Sequence, residues 1–274
     1  MTSRPTIPRL GSRTRKSTSP SAGRRFPCGR TKRRPWITSQ SSGRPSRREV
    51  QEREGLAHAP GGLGAGSLFC RNADDRWPEF AGRDLVSAFP GIEHVDLTVD
   101  GATTSSTLQA QISCIPPALA GPTVVTLTAG GNDLVGLLDM DRDRPFAATP
   151  TEREDPVAEI ADRLARIVAE LRSNLPEPTI LLGTVYDPSD GTADLGDGVV
   201  RDRALSMLHQ FNDRVADIAE STGAILVPIH SHFLGHGLTD PDVDARWYWR
   251  HLVIEPSAAG ASEVRRLWVE AIGS

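Results

Sequence analysis

The sequence predicts an α/β domain: a parallel sheet covered by helices on both faces, in three layers. Short apolar runs at 123–128, 179–185 and 224–229 have the length and β-branched content of buried strands. Stretches 155–175 and 202–222 carry apolar residues at helical spacing. Strand and helix signals alternate along the chain, the order that produces parallel pairing with covering helices.

Composition divides the chain before any element is placed. The formal charge over 274 residues is −4. Residues 1–54 hold 15 Lys and Arg against three acids, Glu49, Glu52 and Glu54, a net +12 that leaves −16 on the remainder. Residues 1–60 are rich in Arg, Ser, Pro, Thr and Gly with almost no apolar periodicity, so they are expected to be disordered: they bury too little to offset the entropy of ordering. Such a segment suits a basic arm for nucleic acid, a transit peptide, or a misplaced start or frame error in a GC-rich gene. The third reading is preferred and nucleic acid is not expected as a partner, because aromatics are not interleaved with the basic residues. Neither a secretory apolar core nor a membrane-spanning run occurs. Cys28, Cys70 and Cys114 have no metal or redox spacing, and an odd number argues against a disulfide framework. Free thiols and a cytoplasmic location are the expectation.

The folded domain is expected over 61–274. The Gly-rich stretch 61–68 reads as a flexible loop. Residues 75–86 read as a helix with an Asp cap near its start and Trp77, Phe80 and Leu85 inward. Residues 92–99 alternate as a strand, with His94 at its solvated or core edge, and run into the turn 100–104. After the strand at 123–128 comes an acidic linker, 139–150. The helix at 155–175 turns Val157, Ile160, Leu164, Ile167, Val168 and Leu171 inward. The polar loop 186–191, following the strand at 179–185, is expected to border a pocket. The helix at 202–222 buries Leu205, Leu208, Phe211, Val215 and Ile218, and a last helix starts at Pro256.

The strand at 123–128 breaks into Ala129-Gly130-Gly131-Asn132-Asp133-Leu134. Two glycines permit a tight turn that delivers two short polar side chains beyond the strand's carboxyl end, where open α/β sheets bind ligands. Asn132 and Asp133 are equally suited to cap the following helix. The run resembles the third sequence block of the SGNH (GDSL-type) hydrolases, esterases and lipases with a flavodoxin-like α/β fold. The resemblance implies that the Asn132 amide is an oxyanion-hole donor, worth roughly 3–4 kcal/mol in the transition state. Asp100-Gly101-Ala102-Thr103-Thr104 is similar to the second block, which implies a further donor in the Gly101 backbone N–H. An ordinary turn glycine is the plainer reading of Gly101. The implied activity is hydrolysis of a small-molecule carboxylic ester by a serine nucleophile.

Two departures from the family pattern stand out. Gly-Asp-Ser, which carries the nucleophile, is absent; Ser67 is a substitute candidate in a stretch better read as loop. The last block, Asp-x-x-His before a proline, matches at Pro256-Ser257-Ala258-Ala259-Gly260, but Glu255 stands where the histidine is expected. Candidates for the base are therefore Glu255, His251 with Asp242 or Asp244 upstream, and His236 from the group His230, His232 and His236. Each has a plainer role: Glu255 complements a helix dipole, and His251 packs on Trp247, Tyr248 and Trp249. The three clustered histidines lack a fourth ligand motif for zinc. No metal and no cofactor is expected. With the nucleophile block missing, a non-catalytic SGNH scaffold that binds small esters stays open, as does a basic-armed nucleic-acid-binding protein. The oligomeric state is not legible.

Overall fold

A computed structural model describes residues 37–39, 64–117, 119, 121–142, 155–250 and 252–273, with 37–39 and 139–142 described as backbone. The apolar runs pair as strands β1 (Ile37–Ser39), β2 (Val95–Asp96), β3 (Thr123–Leu127), β4 (Pro178–Gly183) and β5 (Ile225–Val227). They form one sheet in the order β2-β1-β3-β4-β5, and every neighbouring pair is parallel. This is the flavodoxin-like doubly wound order, whose switch point lies beside β1 and β3.

The helices are α1 (Ala65–Cys70), α2 (Gly131–Arg142), α3 (Pro156–Asn174), α4 (Asp202–Thr222), α5 (Ile229–Phe233) and α6 (Ala258–Gly273). Strand alternation sorts them into layers. Val125, Leu127, Ile180 and Leu182 join the core formed with α3 and α4. Val124, Leu181 and Val227 face the other way, onto α1, α5 and α6. Helix α3 starts where its sequence dictates: the Asp155 carboxylate accepts from the Val157 and Ala158 N–H groups at 3.0 and 3.3 Å, and Pro156 fills the first helical position.

Before β3 the structure differs from expectation in four places, and beyond it the helix after β3 runs to Arg142 into the expected linker while Pro256 ends a strand and the last helix starts at Ala258. Residues 37–39 fall inside the segment expected to be disordered, yet they pair on both sides within the sheet; the rest of residues 1–60 lies outside the described residues. Ser67 sits in α1 rather than in a loop, because Leu68 and Phe69 have a buried surface to join. The helix expected at 75–86 is a turn, a short 3-10 segment at Pro78–Phe80 and one helical turn at Leu85–Ala88, since Pro78 and Gly82 interrupt it. The strand expected at 92–99 shortens to β2, where the Asp96 carboxylate takes the Thr98 N–H at 2.9 Å and turns the chain out of the ladder. An antiparallel pair, β6 (Tyr248–Trp249) and β7 (Leu252–Pro256), stands apart from the main sheet. No helix among the described residues is long and apolar enough to cross a membrane.

Candidate functional site

Helix α2 begins where β3 ends. Gly130 has φ +108°, a conformation costly for any side chain, and a Cβ there would collide with the Phe211 ring. The turn therefore presses onto α4 and sets Asn132 and Asp133 in the first turn of α2. The Asn132 amide donates to the Ala102 carbonyl at 3.1 Å, and a carboxamide has a second N–H to offer. Gly101, with φ +72°, opens the Ala102 turn. The Asp133 carboxylate is 6% exposed. It accepts from the Thr104 N–H at 2.7 Å, from the Thr104 hydroxyl at 2.8 Å and from Arg163 Nη2 at 3.3 Å. Arg163 Nε also donates to the Thr104 hydroxyl at 2.9 Å. Asp133 thus locks the 101–104 turn to the start of α2, with α3 supplying the cation.

These elements rim a cavity of about 840 Å³ at the carboxyl edge of the sheet, lined by Asn132, Asp100, Thr128, Thr184, Glu255 and Ser257 among others. That volume lies toward the upper end of ordinary ligand pockets. The loop after β4 borders it as expected, through Tyr186, Asp187, Pro188 and Ser189. Asp187 holds this loop, accepting from the Ser189 N–H and hydroxyl at 2.9 and 2.6 Å and from the Gly191 N–H at 2.7 Å. Asp190 pins it to the next loop, accepting from the N–H groups of Gly235, Gly237 and Thr239 and from the Thr239 hydroxyl.

The predicted site residues separate into two groups. Asn132 and Glu255 line one cavity. Glu255, in β7, is 8% exposed. Burial first, and then the Glu255 charge, push the Tyr186 phenol well above the ordinary tyrosine range, and the Tyr186 hydroxyl donates to the Ile254 carbonyl at 3.1 Å. Gly101 is exposed and adjoins the cavity through Asp100. The remaining candidates lie elsewhere. His236 stacks on the Trp247 ring with centroids 3.6 Å apart and planes 4° from parallel, and it is not among the cavity-lining residues. His232 Nε2 pairs with the Glu263 carboxylate at 3.0 Å. His230 packs edge-on against His209, and burial lowers its pKa, with His209 adding to the effect and Asp187 opposing it. Asp242 accepts from the Asp244 N–H within its own turn. His251 lies outside the described residues. Ser67 is half-buried in α1 and does not line the cavity. The sequence reading missed Arg163 and Thr104 as partners of Asp133, because nothing local marks residues that meet across 29 and 30 positions.

A doubly wound parallel sheet, with an amide-bearing turn beside its central strands and a large cavity at their carboxyl ends, is the architecture of the SGNH-type α/β hydrolases. The chain belongs to the GDSL-like lipase/acylhydrolase family, which its sequence matches over residues 59–262. No curated protein matches it significantly. Among solved structures it is similar to a GDSL-like lipase from Parabacteroides merdae, at 16% identity and TM-score 0.55, with 90% of this chain and 98% of that chain covered. It is also similar to LAE5, an alpha/beta hydrolase from the metagenome of Lake Arreo (16%, TM-score 0.54, 88% and 95% covered). A catalytic variant of Axe2, an acetylxylan esterase from Geobacillus stearothermophilus, aligns at 16% and TM-score 0.52, with 88% and 94% covered.

Proposed function

We propose that this chain hydrolyses carboxylic esters at the cavity beside Asn132. The observation that carries the reading is the Asn132–Ala102 bond: it fixes an amide donor, with one N–H still to offer, at the end of a parallel strand and on the wall of a cavity. In this reading a serine hydroxyl attacks the ester carbonyl and the Asn132 amide and Gly101 N–H hold the developing oxyanion. Glu255 takes the serine proton and passes it to the departing alkoxide, and water then cleaves the acyl-enzyme.

Treating the 274-residue protein with a fluorophosphonate and mapping the adduct by mass spectrometry tests this directly. One labelled serine, with p-nitrophenyl ester turnover that falls about 10²–10³-fold in Asn132→Ala, is the expected result. A second reading rests on Glu255 standing in the cavity where the family pattern has an imidazole: the scaffold retains its pocket as a binding site for esters. Ester binding without adduct or turnover would establish that reading in place of hydrolysis.

A further inference from the structure

We propose that the slot between α2 and α4 takes the acyl chain of a medium-chain fatty ester, a substrate class that rests on the ester-hydrolase reading of the same cavity. Gly131, Val135 and Leu138 recur at i, i+4 and i+7 and so share one face of α2, and all three line the cavity. From α4, Ala204, Leu205 and Leu208 line the same cavity. The slot begins at Asn132, where an ester carbonyl would be held, and is apolar from there onward along both helices. From Asn132 to Leu138 the helix rises about 9 Å. An extended chain advances about 1.2 Å per bond, so the facet matches a chain of roughly eight carbons.

Several polar side chains of the lining are engaged within the protein, which favours an apolar occupant over a sugar on this side of the cavity. The Asp187 carboxylate is taken up by Ser189 and Gly191. The Ser189 hydroxyl donates to Asp187 and accepts from the Ala193 N–H at 3.0 Å. Arg201 makes a two-pronged pair with Asp197 at 2.9 and 2.6 Å and donates to the Val199 carbonyl at 2.8 Å. Thr184 accepts from the His230 N–H at 2.8 Å. Sugar hydroxyls beside these engaged groups would have to compete with bonds already made, a loss that burial makes costly. An alkyl chain loses nothing and gains by leaving water.

The experiment measures two properties of the intact protein over one chain-length series. Binding of acetate, butyrate, hexanoate and octanoate is followed by calorimetry and by the emission of Trp249, which lines the cavity; turnover is followed on the matching p-nitrophenyl esters. Affinity and kcat/KM are expected to climb about threefold to fourfold per methylene up to octanoate. In Leu205→Trp, folded by circular dichroism, the octanoate-to-acetate ratio is expected to fall at least tenfold. Turnover that is flat with chain length, or fastest on acetate, overturns the acyl slot while leaving ester hydrolysis standing. Affinity that climbs without any turnover upholds the slot and overturns hydrolysis. Affinity that does not depend on chain length overturns the slot even if Leu205→Trp fails to fold.

Discussion

Asp133 shows what one side chain organises. Its carboxylate satisfies two donors of Thr104, itself fully buried, and pairs with Arg163. Removing a partner of buried groups costs more than a bond is worth when both are present, because the remaining donors stay dry and unpaired. Asp133→Ala is expected to lower unfolding free energy by about 2–4 kcal/mol in urea titration. Asp133→Asn keeps an acceptor for Thr104 and is expected to lose about half of that. Ester turnover should fall in the same order, since the 101–104 turn is released from Asn132. The sequence makes Asp133 visible by its place in the motif, whereas Arg163 is one charge on the polar side of an amphipathic helix and looks like any solvated residue there. Glu255 was legible as a departure from pattern; its burial in the cavity was not, because that depends on the β6–β7 pair.

At the scale of elements, legibility followed length and period. The predicted helix at 202–222 matches α4 in both bounds, and that at 155–175 matches α3 to within one residue at each end, because long amphipathic stretches average over many side chains. Strand β1 was missed since three residues flanked by arginines and serines carry no period; its pairing comes from the neighbours that receive it. The β6–β7 pair was read as an aromatic patch. It packs against α6 with Tyr248 in one apolar cluster with Ala261, Val264 and Trp268; the Ser257 N–H donates to the Trp247 carbonyl at 2.8 Å, and a Cβ on Gly260 would strike that same carbonyl oxygen. Alanine normally improves a helix by about 1 kcal/mol over glycine. Here the clash is with backbone, which cannot swing aside, and overpacking costs about 1–3 kcal/mol or more. Gly260→Ala is therefore expected to be destabilising in thermal denaturation and to weaken ester binding, because the displaced pair carries Glu255.

Over the whole molecule, titration links stability to acidity. Burial lowers the pKa of His230 against the opposing charge of Asp187, and lowers that of His94 against Asp96. A histidine depressed in the folded state favours the neutral form, so its contribution is fully present above the unfolded value near 6.5 and is lost as pH falls toward the folded value. Burial raises the Glu263 carboxyl, but hydrogen bonds from Arg266 and His232 outweigh it and hold the pKa below the usual range. Its contribution is present above about 4.3 and disappears as pH drops through the lowered value. Urea midpoints are thus expected to be level from pH 8 to 7, to decline below about 6.5 and to decline further below about 4.3. His230→Asn should flatten part of the first step.

The position of β1 also bears on how the sheet assembles. Ile37 pairs with Val95 and Val125, partners 58 and 88 positions further along. A strand that must slot between two others so distant in sequence closes long loops before it gains any contact, and topologies dominated by such pairings fold slowly. Until it arrives, β2 and β3 each present an unsatisfied edge, the feature through which half-formed sheets capture one another. During folding the protein therefore passes through its most aggregation-prone moment because the strand that joins β2 to β3 lies far from both in sequence.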